Sequence, residues 1–112
     1  MKSSQQAIET AKIIPITETS INSIFREAYE GLREYCEAIG YLKGYQLRTH
    51  ESITYFLADI LKENTLSAKF ERYRKLRNGI TYYGENIQKE TAEEALREIP
   101  LMTKTLEKHT KL

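Results

Sequence analysis

The sequence predicts an all-α fold, an up-and-down antiparallel bundle of four to five helices that forms a single domain over residues 1–112. Glu supplies fifteen of the sixteen acidic residues, and the chain has 5 Gly and 2 Pro, a usage that favours helices. Apolar residues recur at spacings of three and four, and no long segment alternates as a strand would. The links between these patterns are short, which favours antiparallel neighbours.

Four helical patterns precede the last one. We expect a short amphipathic helix at residues 4–13, a long helix at 20–43, a third at 49–62 and a fourth at 66–83. The apolar face of the long helix is formed by Ile21, Phe25, Ala28, Leu32, Cys36 and Ile39. That of the fourth helix is formed by Phe70, Tyr73, Leu76, Ile80 and Tyr83. A short break is expected at Asn64 and Thr65, between the third and fourth helices.

The last predicted helix begins at residues 91–94, where Thr91 and Glu94 fit a capping box. Pro100 lies inside its apolar pattern and should kink or divide the helix. The tail at residues 108–112 is expected to fray.

Composition limits the classes of partner and compartment. The net charge is +1, so the whole-chain balance indicates neither a nucleic acid nor an acidic partner. The single cysteine excludes an intrachain disulfide, and the N-terminal residues have no apolar run of signal-peptide length. We therefore expect a cytoplasmic protein. No stretch approaches the ~20 apolar residues that a membrane span requires.

Arg77 is the anomaly of the fourth helix. With about 100° per residue, it falls between Phe70 and Tyr73 on the helical wheel, inside the apolar face. A buried guanidinium is costly unless it is paired, so Arg77 needs a partner, a polar cavity or an interface. One interpretation is that Arg77 reaches water at the edge of the apolar face. The other is that this face meets a second subunit or a ligand anion.

Basic and aromatic residues surround this position. The basic ones are Lys69, Arg72, Arg74 and Lys75, and the aromatic ones are Phe70, Tyr73, Tyr82 and Tyr83. Interleaved cations and rings are typical of surfaces that bind phosphate or RNA. Runs of charge are, however, more often simply a solvated helix face.

The segment from Arg72 to Gly84, with Arg77 and Asn78 at its centre, resembles the motif helix of HEPN domains. The long helix upstream, the turn at residues 43–45 and the start of the third helix at residues 49–52 extend the resemblance over about residues 20–84. The resemblance implies a helical bundle that pairs about a twofold axis. In active relatives, Arg and His of both subunits converge there and cleave RNA without metal. Other relatives bind nucleic acid or nucleotides, or partner a small nucleotidyltransferase.

One position departs from this family pattern. Tyr82 stands where the motif has His, and a phenol with a pKa near ~10 is a poor base at neutral pH. The resemblance therefore implies a homodimer that binds RNA or a nucleotide phosphate through Arg74, Arg77, Asn78 and Tyr82. A small nucleotidyltransferase, which partners some relatives, is the protein partner that the resemblance implies. The alternative is a divergent metal-independent ribonuclease that uses Arg77, Asn78 and Tyr82.

Other chemistry is less well supported by the sequence. His50, at the start of the third helix, could be a capping or interface residue, or could replace the missing motif His. Glu30, Glu34 and Glu37 are one helical turn apart, but a solvated outer face explains them better than a metal site. Cys36 lies in the apolar face and is expected to be buried and inert. We expect no metal and no cofactor.

Overall fold

The structure is a computed structural model that describes residues 20–111. These residues form four α-helices and no strand: α1 (Ile21–Leu42), α2 (His50–Tyr55), α3 (Asn64–Tyr83) and α4 (Lys89–Leu106). A π-helical segment, Phe56–Ile60, continues α2, and a 3₁₀ turn, Glu107–Thr110, follows α4. The all-α prediction is confirmed for this part of the chain. The helix predicted at residues 4–13 lies outside the described residues.

Helix α1 follows its predicted bounds within two residues and is the centre of the core. The six residues given above for its apolar face are buried, together with Ile24, Tyr29 and Tyr35. Leu42, which the same pattern includes at the end of the helix, is exposed instead. Helices α3 and α4 pack against it with Phe70, Tyr73, Ala92, Ala95, Ile99, Met102 and Leu106. The three-and-four spacing therefore produces the burial that it predicts.

The third predicted helix does not continue as one regular α-helix to residue 62. It widens at Phe56, where the N–H of Leu61 donates to the Phe56 carbonyl five residues back. The extra residue of this π turn lets Phe56, Leu57 and Leu61 all face the core. Thr49 and Ser52 cap the start of α2 reciprocally, each side chain accepting from the other residue's backbone N–H.

Helix α3 begins at Asn64, so the break predicted at Asn64 and Thr65 lies earlier, at residues 61–63. Lys62 makes the turn there with a left-handed backbone, φ 60°. The helix ends as predicted at Gly84, with φ 65°, and the Gly79 carbonyl accepts from the N–H groups of Gly84 and Glu85. The predicted burial of Tyr83 is wrong: this residue, in the last turn of the helix, is 77% exposed.

Helix α4 corrects two predictions about local structure. It begins at Lys89, so Thr91 already lies inside its first turn, and the N-cap residue Gln88 makes no side-chain cap hydrogen bond. The predicted capping box is therefore absent. Pro100 does not divide the helix, since burial of Ile99 and Met102 on either side offsets the one backbone hydrogen bond that proline removes.

The helix directions differ from strict up-and-down alternation. Helix α3 runs antiparallel to α1, because Phe25 meets Tyr73 and Tyr29 meets Phe70. It also runs antiparallel to α4, through the pairs Arg72–Glu94 and Lys69–Glu98, and to α2, through the pairs Glu51–Arg74 and Thr54–Ser67. Helices α1 and α2 consequently run in the same general direction, and the loop at residues 43–49 turns the chain back between them.

The tail after α4 is held at one end of the bundle. Nε2 of His109 lies 2.8 Å from a carboxylate oxygen of Glu63, and the Lys108 ammonium lies 3.0 Å from the same oxygen. The prediction of a frayed tail is therefore wrong up to Thr110, because Glu63 in the α2–α3 turn gives the tail a polar anchor. Over the described range, no helix combines the length and apolar character needed to cross a membrane.

Candidate functional site: an arginine–histidine cluster

Arg77 is half-buried on the side of α3 that faces α1, with 22% of its side chain exposed. Its Nε lies 3.5 Å from Oε1 of Glu30 on α1. Nη1 donates a long hydrogen bond of 3.4 Å to Oδ1 of Asn78, and the guanidinium carbon lies 5.9 Å from the centre of the Tyr82 ring. The residues singled out in the sequence therefore do lie together around this guanidinium.

The anomaly of a charge in the apolar face is thus resolved within one chain. Glu30 compensates the charge of Arg77, so Arg77 does not need a second subunit as its counter-charge. The prediction that Glu30 belongs to a solvated outer face is wrong for the same reason. With part of the guanidinium still accessible to water, the desolvation cost of the pair is much smaller than for a fully buried pair.

Glu30 also binds Arg33, one turn further along α1. Arg33 Nη2 lies 2.7 Å from Oε2 of Glu30, and its Nε donates to the same oxygen over 2.8 Å. Burial alone would lower the pKa of Arg33, but the hydrogen bond and the negative charge of Glu30 outweigh it, and the pKa is raised. The two oxygens of one carboxylate therefore face arginines of two different helices.

His50 joins this group from the first turn of α2. Its Nδ1 lies 2.6 Å from the buried hydroxyl of Tyr29 on α1, and its ring stacks against the rings of Tyr29 and Phe70. Burial lowers the pKa of His50, and the positive charges of Arg77 and Arg33 lower it further. The imidazole is consequently neutral at physiological pH.

The same hydrogen bond indicates which nitrogen of His50 carries the proton. Burial raises the pKa of Tyr29 well above its ordinary value, so its hydroxyl keeps its proton. His50 Nδ1 is the partner found for that hydroxyl, and it can accept only when it is unprotonated. The neutral ring therefore carries its hydrogen on Nε2, where it can act as a donor.

Arg74 is the third arginine near His50. It is held on α3 by two hydrogen bonds to Glu71, with Glu51 of α2 at 3.9 Å. The hydrogen bond to Glu71 raises the pKa of Arg74, and its charge also contributes to lowering the pKa of His50. We call Arg33, His50, Arg74 and Arg77, with Tyr29 and Glu30, the arginine–histidine cluster.

Two other residues of the basic stretch, Lys69 and Arg72, belong to another face of α3. Lys69 pairs with Glu98, and Arg72 makes a bidentate pair with Glu94, both on α4. The sequence placed these residues beside Arg77, but the helix separates them from it. The local basic run is therefore divided between a helix-packing contact with α4 and the arginine–histidine cluster.

A groove between α1 and α3 opens beside Arg77. It has a volume of about 380 Å³ and is lined by Ser23, Arg26, Glu27, Glu30, Arg77 and Thr81. Tyr82 projects nearby with 67% of its surface exposed. The groove thus offers hydroxyl and guanidinium donors next to an accessible aromatic ring, although two glutamates also line it.

The glutamates that recur one turn apart on α1 do not lie together as a set of ligands. In the described part of the chain, no group of three or more His, Cys, Asp and Glu side chains is placed to hold a metal ion. Glu30 and Glu37 flank Arg33 as its counter-charges, while Glu34 is exposed. Burial raises the pKa of Cys36 to about 12, so this thiol remains protonated in the core, as predicted.

Sequence reasoning missed Tyr29, Glu30 and Arg33 as members of this cluster. Tyr29 follows Phe25 by four residues, and Arg33 follows Tyr29 by four, so Phe25, Tyr29 and Arg33 share one side of α1. Extending the apolar periodicity through Tyr29 would have predicted that this side of α1 packs against another helix. The sequence suggested His50 only as a replacement for the motif histidine, although its ring packs in the cluster.

No protein-family model matches the chain, and no curated protein matches it either.

Proposed function

We propose that this protein is a HEPN-like module that binds the phosphate of RNA or of a nucleotide at the arginine–histidine cluster. The observation that carries the proposal is that Arg33 of α1 and Arg77 of α3 hold the two oxygens of one carboxylate, with 30% and 22% of their side chains exposed. The neutral His50 of α2 is bound to the neighbouring Tyr29, and Arg74 is close enough to lower its pKa. Guanidinium groups held in a partly desolvated site bind phosphate oxygens in bidentate fashion and more strongly than exposed lysines do.

Each residue has a distinct role in this proposal. Arg77 supplies the charge and the planar fork that faces a phosphate. The Asn78 amide and the Nε2–H of His50 donate to the remaining oxygens. Tyr82, exposed beside the guanidinium, stacks on the base of the nucleotide.

Equilibrium binding of fluorescein-labelled RNA and of adenosine monophosphate (AMP) tests the proposal. Arg77→Ala should weaken binding by about tenfold or more, the range expected for a charge-assisted contact of ~1.5–3 kcal/mol. Arg72→Ala is the matched control, because it removes the same charge from the same helix but on the α4 side. Equal losses of affinity in the two variants would indicate non-specific electrostatic binding and would contradict a site at Arg77. An unchanged affinity of Arg77→Ala would refute the proposal.

Metal-independent RNA cleavage is a second candidate, favoured by one specific contact. The Tyr29 hydroxyl holds His50 with its hydrogen on Nε2, from which the ring can donate a hydrogen bond to the scissile phosphate and stabilise the charge that develops there. This role replaces the one that the resemblance implies for the position of Tyr82. Labelled RNA incubated with the protein and a chelator should be cleaved by the wild type and not by His50→Gln; equal background in both would remove this candidate.

The homodimer and the nucleotidyltransferase partner stay predictions from the family resemblance. Arg77 does not require the dimer, since Glu30 lies beside it. Exposed Tyr82 and Tyr83 at the end of α3 are the features that favour a contact there. Sedimentation equilibrium at micromolar concentration should find twice the 13.1 kDa chain mass. Tyr83→Ser should weaken the dimer and so lower the average mass that is measured.

A further inference from the structure

The carboxylate of Glu30 lies where a bound phosphate would have its best contacts. Oε2 is 2.7 Å from Arg33 and Oε1 is 3.5 Å from Arg77, so one anion already bridges the two guanidinium groups. We propose that Glu30 is a built-in competitor that a phosphate ligand must displace, so that it weakens binding and selects for ligand charge. This inference rests on the proposed phosphate-binding function.

The other carboxylates near the cluster do not share this position. Glu37 pairs with Arg33 on its own helix, and Glu71 pairs with Arg74 on its own helix. Among the described ion pairs, Glu30 is the carboxylate that joins arginines of two helices. Displacing Glu37 or Glu71 would therefore affect one guanidinium, whereas displacing Glu30 removes a partner from arginines of two helices, of which Arg77 lines the groove.

Glu30 is able to move without disturbing the core. Its side chain is 32% exposed and lines the groove between α1 and α3. A change of rotamer carries such a carboxylate to water while the backbone of α1 stays in place. The arginines are held less freely, because Arg77 lies under Tyr82 and Arg33 keeps its second partner, Glu37.

The exchange also predicts which phosphate the site prefers. A phosphodiester carries one negative charge, so replacing Glu30 by a diester leaves the charge opposite the arginines unchanged. A phosphate monoester is dianionic near neutral pH and adds one further negative charge to the same pair of cations. The ligand class that overcomes the competitor best is therefore a terminal phosphate monoester, either free in a nucleotide or at the end of an RNA.

Binding of three probes at pH 7.5 tests the inference: AMP, a 5′-phosphorylated uridine trinucleotide, and the same trinucleotide without its 5′-phosphate. Glu30→Gln should bind AMP roughly tenfold more tightly than the wild type. Glu34→Gln, which removes an exposed carboxylate from the same helix, should not change the affinity. Glu30→Asp keeps the charge but shortens the side chain, and it should bind AMP with intermediate affinity.

The outcomes separate this inference from the proposed function. If the wild type binds AMP and Glu30→Gln binds it no more tightly, Glu30 is not a competitor, and phosphate binding stands. If neither protein binds any probe, the proposed function fails and the inference fails with it. If circular dichroism shows that Glu30→Gln does not fold, Glu30→Asp takes its place in the test. An affinity of Glu30→Asp for AMP equal to that of the wild type would then refute the inference. Equal binding of the two trinucleotides would refute the preference for a phosphate monoester. Tighter binding of the phosphorylated trinucleotide than of AMP would identify the end of an RNA, not a free nucleotide, as the source of the monoester.

Discussion

The Tyr29 hydroxyl lies 2.6 Å from Nδ1 of His50 and so links the middle of α1 to the first turn of α2. Both rings also stack with Phe70 of α3, at centroid distances of 5.4 and 6.4 Å. Three helices thus meet at one polar contact within an aromatic layer. Burial and the charges of Arg77, Arg33 and Arg74 lower the pKa of this imidazole, which is therefore neutral.

Removing this hydroxyl should destabilise the protein. Tyr29→Phe leaves Nδ1 of His50 half-buried without its donor, at a cost of roughly 1–2 kcal/mol in the free energy of unfolding. Urea denaturation measures the change. Tyr55→Phe is the control, because Tyr55 is exposed, and this variant should lose less than ~0.5 kcal/mol in the free energy of unfolding. Equal stability of the two variants would mean that the contact does not form in solution.

The lowered pKa of His50 predicts a loss of stability in mild acid. Its ordinary value is 6.5, and burial with the nearby arginines lowers it in the folded protein. Between the lowered value and 6.5 the unfolded chain binds more protons, so stability rises with pH across this window and falls as pH drops through it. The free energy of unfolding should therefore decrease from pH 7 to pH 5.

His50→Gln tests that assignment, since it removes the titrating group. Its unfolding free energy should vary less over the same pH range than that of the wild type. A wild-type curve that rises towards acid would contradict the neutral imidazole. Identical curves would show that other groups govern the pH dependence.

The tail contact at Glu63 should protect the C-terminal residues from proteolysis. Hydrogen bonds from His109 and Lys108 lower the pKa of Glu63 below its ordinary 4.5. The stability that the charged Glu63 contributes is therefore fully present above pH 4.5 and is lost as the pH falls through the lowered pKa. Glu63→Gln should accelerate trypsin cleavage after Lys108 by roughly two- to fivefold, because a partly exposed ion pair is worth less than ~1 kcal/mol. Glu90→Gln, at an exposed position remote from the cleaved bond, should leave the rate unchanged.

Gly84 ends α3 with φ 65°, a conformation that favours glycine. Gly84→Ala should cost roughly 1 kcal/mol in the free energy of unfolding, because Cβ is disfavoured in this region. Gly84→Asn should cost less, since asparagine tolerates the left-handed conformation. Thermal unfolding of the two variants checks the order, and a smaller loss for Ala would contradict it.

Much of the fold could be predicted because the core follows helical periodicity. Helix α1 has a predicted apolar position every three or four residues, and burial follows it from Ile21 to Ile39. The π turn at Phe56 could not be predicted, because its pattern of apolar residues is the same as that of a regular helix. The start of α4 was misplaced because Thr91–Glu94 satisfies a local capping pattern that packing of the helix overrides.

The site could be predicted only in part, for a geometric reason. The position of Arg77 inside an apolar face indicated correctly that it needs a polar partner. The identity of that partner depends on how α1 and α3 pack, and Glu30 lies 47 positions earlier in the sequence. Nothing local to Glu30 marks it, since helices commonly carry such glutamates on their solvent side.

The measurement that tests the central claim most directly is an NMR titration of arginine side chains with AMP. The Nε–Hε signals of Arg77 and Arg72 are followed together, with Arg77→Ala and Arg72→Ala used for assignment. If phosphate binds at the arginine–histidine cluster, the Arg77 signal shifts and saturates while the Arg72 signal, held by Glu94, stays in place. An Arg77 signal that does not move, at AMP concentrations that saturate any binding elsewhere, would contradict the account.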